Sequence, residues 1–91
     1  MDCLVIGSGL SGSVIARELA EQGKKVVIWE RRNHIGGNMY DRVDEHDILV
    51  QQYGPHIFHT GKKELYDYMC RFEEWQNFKL VCGAAWGGKY T

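Results

Sequence analysis

Two unbroken apolar runs, Cys3–Ile6 and Val26–Trp29, frame a stretch whose apolar residues recur at helical spacing. Unbroken apolarity predicts strands of a parallel sheet covered on both faces, because a strand with one wet face alternates instead. Between the runs, Val14, Ile15, Ala16, Leu19 and Ala20 supply apolar positions at helical spacing, with Arg17, Glu18, Glu21 and Gln22 on the other side. Gly23 stands where a helix C-cap is expected, and Lys24 and Lys25 suit the negative end of the helix dipole. Strand, helix and strand make one βαβ unit with a right-handed crossover.

Beyond Glu30 the patterning weakens. Residues 31–38 read as a loop around Gly36 and Gly37, which ask for unusual dihedrals or a close approach. Residues 39–43 and 48–53 read as two short strands around the polar turn 44–47. Gly54 and Pro55 punctuate a second loop carrying His56 and His59. Thr60 can then cap a helix that contains Leu65, Tyr66, Met69 and Phe72 and ends near 71–74. Residues 78–86 are rich in strand formers and meet Gly87 and Gly88, a two-residue hairpin signal with 89–91 for the returning strand. The expected fold class is α/β: an incomplete βαβ unit, a short β-hairpin, a helix and a truncated strand or hairpin.

Composition narrows this picture without redirecting it. With 91 residues and 10.5 kDa there is room for one domain at most, and a chain of this size buries a small core. A net charge of -1, with no long basic run, gives no electrostatic case for nucleic acid or an anionic membrane. The first apolar run stops at Gly7, far short of a signal core or a membrane span, which predicts a cytoplasmic protein. Cys3, Cys70 and Cys82 form no CxxC pair and read as reduced, packed thiols.

The string GSGLSG over 7–12 follows the first strand directly and opens the helix. Gly7 permits a tight turn, Gly9 lets the backbone approach a pyrophosphate, and Gly12 lets the helix pack closely on the strand. The helix N-terminus then offers N–H groups and a positive dipole end to phosphate charge. Glycines also serve ordinary turns, so the string is weak alone. Its context is stronger: Glu30 lies 23 positions after Gly7, at the tip of the second strand, where a carboxylate can accept both ribose hydroxyls and repels a 2′-phosphate. The blander reading makes Glu30 a solvated strand end paired with Arg31 or Arg32. The run RRNHIGG over 31–37 resembles the arginine-then-GG extension of FAD-dependent proteins, so FAD is the expected cofactor of a Rossmann-like unit.

Three strings together resemble one family closely: GSGL at 7–10, ERRNHIGGN at 30–38 and YGPHIFHT at 53–60. They are similar to the N-terminal third or quarter of UDP-galactopyranose mutase, over residues 1–78. The resemblance implies FAD in its reduced form, and interconversion of UDP-galactopyranose and UDP-galactofuranose through a sugar adduct at the flavin N5. UDP-galactose would be the substrate of the full-length protein. Gly7, Gly9, Ser11 and Gly12 would line the pyrophosphate, Glu30 the ribose, and Arg31, Gly37 and Asn38 the next FAD contacts. His56 and Ile57 would lie against the isoalloxazine, and His59 toward the sugar.

On this reading, 1–91 is the N-terminal part of an FAD-binding domain, the substrate domain is absent, and the fragment alone is inactive. An unfinished sheet leaves edges open to association, so a homo-oligomer is an expected partner state. The His-x-x-His pair lacks carboxylate or cysteine companions at ligand spacing, so no metal is expected. Two alternatives stay open: a piece of an amine-oxidase-type FAD oxidoreductase, and a non-catalytic nucleotide-binding remnant. The tail departs from the resemblance, with FKLVC at 78–82 where a polar, asparagine-containing segment is expected.

Overall fold

A computed structural model describes all of residues 1–91. The chain forms two compact units, Met1–Ile57 and Phe58–Thr91.

The first unit opens with the expected βαβ. Strand β1 (Cys3–Ile6) pairs in parallel with β2 (Val26–Trp29), in the register Cys3 with Val26 through Ile6 with Trp29. Helix α1 (Leu10–Glu21) makes the crossover and packs on both strands. It ends as its sequence asks: the Gly23 N–H donates to the Ala20 carbonyl at 3.0 Å and the Lys24 N–H to that of Leu19 at 3.2 Å. That pair is a Schellman motif, and Gly23 takes the left-handed φ of 83° it requires. At the far end Asp2 Oδ2 accepts the Lys25 N–H at 2.9 Å, fixing the entry to β2.

The two strands are covered on one face only. Ala16 of α1 is the one buried apolar residue, while Leu4, Ile6, Val27 and Trp29 stay exposed and Ile28, on the helix side, is covered only in part. The expectation of strands covered on both faces is therefore half met. The unbroken apolar run is a record of the burial a parallel strand is built for, and α1 supplies one side of it.

After β2 the chain passes through a single 3-10 turn at Gly37–Met39 and enters a hairpin. Strands β3 (Asp41–Val43) and β4 (Leu49–Gln51) are antiparallel and shorter than the expected 39–43 and 48–53. Their connection is organised by Asp44, whose Oδ1 accepts the N–H groups of His46 at 2.8 Å and Ile48 at 3.0 Å. A short polar side chain thus satisfies the backbone that a longer ladder would have satisfied.

The second unit holds helix α2 (Lys63–Met69) and a terminal hairpin. Two expectations fail here. Thr60 does not cap α2: the helix starts after Lys62, and Thr60 Oγ1 accepts the Lys62 N–H at 3.1 Å in a turn just before it. Phe72 lies past the helix end rather than within it. The strand expected over 78–86 shrinks to β5 (Ala85–Trp86), paired with β6 (Lys89–Tyr90). Gly87 and Gly88 both take positive φ, 56° and 79°, as a two-residue hairpin turn demands. Residues 78–84 have strand-forming side chains but no strand to pair with, and a backbone without a ladder gains nothing from that propensity.

Candidate cofactor-binding site

The turn from β1 into α1 is built around backbone contacts that only glycine allows. A Cβ on Gly12 would lie 2.0 Å from the Gly7 carbonyl oxygen and 3.4 Å from Val5 Cγ1. The helix therefore sits against the end of its own strand. Its N-cap residue, Gly9, provides no side-chain cap, and the first turn has no acidic residue. The first backbone bond of the helix is from Ser13 N–H to the Gly9 carbonyl at 2.9 Å, so the N–H groups of Leu10, Ser11 and Gly12 precede it. Such groups, with the positive end of the helix dipole, attract an anion.

Glu30 sits at the end of β2 and is held from two sides. Its Oε1 accepts the Ser8 N–H and the Ser8 hydroxyl, each at 2.8 Å, and its Oε2 accepts the Arg32 N–H at 2.8 Å. Those donors favour the ionised form: the Arg32 N–H first, then the Ser8 N–H and hydroxyl, hold the carboxyl down at about 2. Glu30 is thus a fixed anion rather than a solvated strand end. A carboxylate has roughly four acceptor positions, and three are taken here, so Oε2 retains a place for one ligand hydroxyl. A second would replace the Ser8 hydroxyl, which can rotate away. The pairing with Arg31 or Arg32 that the blander reading supposed is not seen: Arg32 reaches the carboxylate through its main-chain N–H.

Ser8 is a residue that sequence reading missed. It is buried to 3 % exposure, its carbonyl accepts both the Ser13 hydroxyl at 3.1 Å and the Gly36 N–H at 2.9 Å, and it joins the glycine turn to Glu30. The signal lay in its place, the middle position of GSG with an acid at the tip of the neighbouring strand.

The Gly36-Gly37 loop closes on the same turn. A Cβ on Gly37 would lie 2.8 Å from Gly9 Cα, so this pair is in the sequence for close approach. Two open clefts result. One, of about 460 Å³, is lined by Gly7, Gly9, Ser11, Gly12 and Asn38 with Ile6, Leu10, Gly36 and Met39. The other, of about 340 Å³, is lined by Glu30, Arg31 and Gly37 with Ile6, Gly7, Trp29 and Arg32. All eight residues expected at the pyrophosphate, the ribose and the next FAD contacts line one or other of these clefts, which share Ile6 and Gly7.

The three flavin-side and sugar-side residues are placed elsewhere. His56 lies in the first unit with Nε2 3.4 Å from Asp41 Oδ1, and its backbone is clasped by the Gln51 side chain. Its Nδ1 is buried without a hydrogen-bond partner. Ile57 is half exposed and lines neither cleft. His59 belongs to the second unit, where it lines a cleft of about 200 Å³ with Thr60, Tyr66, Asn77 and the packed rings of Phe58 and Trp75.

Known proteins bear on this geometry in two ways. The profile of a family described as the NAD(P)-binding Rossmann-like domain matches residues 5–72. Among individual relatives, the chain is 46% identical over 83 residues to a UDP-galactopyranose mutase of Mycoplasma pneumoniae, covering 90% of this chain and 21% of that protein. It is 47% identical over 78 residues to the UDP-galactopyranose mutase of Mycoplasma genitalium, covering 85% and 19%. It is 49% identical over 76 residues to a dTDP-fucopyranose mutase of Escherichia coli, covering 82% and 20%. The chain spans about a fifth of the length of these curated relatives.

Proposed function

The chain belongs to the NAD(P)-binding Rossmann-like domain family, and we propose that it is the FAD-binding portion of a sugar-nucleotide mutase acting on UDP-galactose. The observation that carries this reading is the reach of the similarity. The glycine turn is common to many dinucleotide binders, but the likeness to mutases extends over as much as 90% of the chain and so runs past the YGPHIFHT string. What the relatives are named for is the interconversion of a nucleotide sugar, in two cases UDP-galactopyranose and in one dTDP-fucopyranose.

The residues present suit the group. Leu10, Ser11 and Gly12 would direct their N–H groups at the pyrophosphate, with no capping side chain in competition. Glu30 would take a ribose hydroxyl on Oε2 and repel a 2′-phosphate, and Arg31 would offset pyrophosphate charge. Gly37 and Asn38 would border the cofactor beyond it, and His56 and Ile57 its isoalloxazine, with His59 toward the sugar. When bound, reduced FAD would supply the nucleophile for a rearrangement without net redox change. The chain's own part is to bind and orient it.

A cytoplasmic setting belongs to the same reading, since Cys3, Cys70 and Cys82 are free thiols of the kind a reducing compartment maintains. No helix is long and apolar enough to cross a membrane.

Two measurements test the proposal. Titration with FAD, followed by flavin fluorescence, should saturate; an absence of binding at high micromolar FAD sinks the claim that 1–91 forms a cofactor site. Product analysis of the full-length protein under reducing conditions should show UDP-galactofuranose formed from UDP-galactopyranose. Turnover of dTDP-fucopyranose alone would move the substrate to the other named relative, and peroxide formation with an amine would replace the mutase reading by an oxidase.

A further inference from the structure

Five side chains outside the glycine motif meet beside the clefts. His34 stacks on Tyr40 with ring centroids 3.8 Å apart and planes 11° from parallel. Its Nδ1 is 2.8 Å from the Ile35 carbonyl oxygen, which can only accept, so Nδ1 carries the proton. In the neutral ring Nε2 then accepts from the Tyr53 hydroxyl at 2.7 Å. Arg32 covers the face of Tyr53, 4.4 Å from the ring centroid, and donates Nη1 to Asn38 Oδ1 at 3.0 Å. Tyr53, next to the Gly54-Pro55 turn that leads to His56, is thereby tied to the 31–38 loop.

Each end of this cluster reaches a different part of the site. On one side the loop is confined between two limits. Retreat breaks the bond from Gly36 N–H to the Ser8 carbonyl, 2.9 Å, and advance is stopped by the contact of Gly37 with Gly9. On the other side Gln51 clasps His56, accepting its N–H at 3.3 Å and donating to its carbonyl at 3.1 Å, while the Gly54 N–H donates to the Gln51 carbonyl at 3.2 Å. Tyr53 lies inside that 51–56 clasp. A shift of the loop that holds His34 is therefore passed to the backbone of His56 through a ring and a hydroxyl.

We propose that His34 and Tyr53 are positioning residues that couple occupation of the glycine turn to the placement of His56. The inference rests on the reading of that turn as an FAD site. A pyrophosphate lying against Gly9 and Ser11 fixes the Gly36-Gly37 loop, the loop fixes His34, and the His34–Tyr53 bond fixes the turn that carries His56. Coupling between sites is reciprocal, so loosening Tyr53 weakens FAD binding as well.

Hydrogen exchange at the Gly36 and His56 amides reads the two ends separately. Tyr53→Phe keeps the ring under Arg32 and removes only the hydroxyl. In the ligand-free protein it should speed exchange at both amides by about tenfold, the scale of one hydrogen bond, while the amides of α1 stay as they were. ADP, which brings a pyrophosphate to the glycine turn without an isoalloxazine to touch His56, should slow both amides in the unaltered protein. In Tyr53→Phe it should slow Gly36, leave His56 near its free rate, and bind roughly threefold to tenfold more weakly. A variant that merely packs less well would bind ADP weakly and still protect His56 once saturated. His34→Gln, which keeps an acceptor for Tyr53 but loses the stack, should fall between the two, and it decides the matter should Tyr53→Phe not fold. Unchanged exchange at either amide, or full protection of His56 in saturated Tyr53→Phe, overturns the coupling. A protein that binds no FAD sinks the cofactor reading, and the ligand-free pair of amides still decides this one.

Discussion

Residues 1–30 and residues 58–91 are similar in length and in their share of apolar side chains, yet only the first became the structure its pattern predicts. In the first, β1 finds β2, α1 finds the face of both, and Ser8 finds Glu30. In the second, α2 has seven residues and 78–84 take no regular form. The difference is one of partners. A parallel strand is worth forming when a second lies 20-odd residues on with a helix between them, and that is what Gly7 to Glu30 encode. Strand formers such as Phe78, Leu80 and Val81 have no such complement in the chain and remain exposed. Propensity without a partner does not make a strand.

The contrast is broken most severely at Gly12. Its Cβ would have to occupy the place of the Gly7 carbonyl oxygen, a main-chain atom that cannot swing aside. Gly12→Ala should cost about 3 kcal/mol or more, and separate β1 from α1, visible as loss of helical signal and of any FAD binding. Gly61→Ala in the second region is the control, since nothing lies within 4 Å of a Cβ there. Equal melting behaviour of the two variants would remove the basis of the comparison.

Glu30 sharpens it through pH. Its folded-state value near 2 lies below the ordinary 4.5, so its contribution is complete above about 4.5 and is lost as pH falls toward 2. Acid unfolding of the β1–α1–β2 region should therefore set in across that window. Glu30→Gln, whose single oxygen can accept from Ser8 or from Arg32 but not from both and which carries no charge, should lower stability at pH 7 and flatten the profile between 4.5 and 2. A variant whose acid profile overlays that of the unaltered protein would show that the three hydrogen bonds do not hold the anion in solution.

A smaller effect is expected at Gly23, where the left-handed residue of the Schellman motif meets no neighbour within 4 Å. Only its backbone conformation matters, so Gly23→Ala should cost about 1 kcal/mol, measured as a lowered denaturant midpoint with an unchanged slope.

How much was legible follows the same division. The glycines at 7, 9 and 12, the acid at 30 and the end of α1 could be read because each requirement is local: a contact across one turn, a strand tip, a helix end. Ser8 was overlooked because its hydroxyl meets an acid 22 residues away, and nothing in a single serine announces a long-range bond. The ring cluster of His34, Tyr40 and Tyr53 was hidden for the same reason, its hydrogen-bonded partners standing 19 positions apart. Thr60 misled in the opposite way. It has the chemistry of a cap and does accept a backbone N–H, but two residues too early for the helix. A hydroxyl can close a turn or cap a helix, and the choice depends on where the next apolar side chains can pack.

The smallest effect is expected at the terminal hairpin, where the comparison meets its limit. Gly88 takes a φ of 79° with open space around it, so Gly88→Ala strains the turn by about 1 kcal/mol, much as at Gly23. The strain should not reach the rest of the protein. Trp86 and Tyr90 are 85% and 83% exposed, and a two-stranded hairpin with no buried face is marginal in water. Strain in an element that is only locally stable opens that element and leaves global stability within about 0.5 kcal/mol. Amide shifts at 84–91 should change in Gly88→Ala while the denaturant midpoint of residues 1–57 holds. A fall in that midpoint would mean that the hairpin is built into the fold, and that the two regions differ less than their partners suggest.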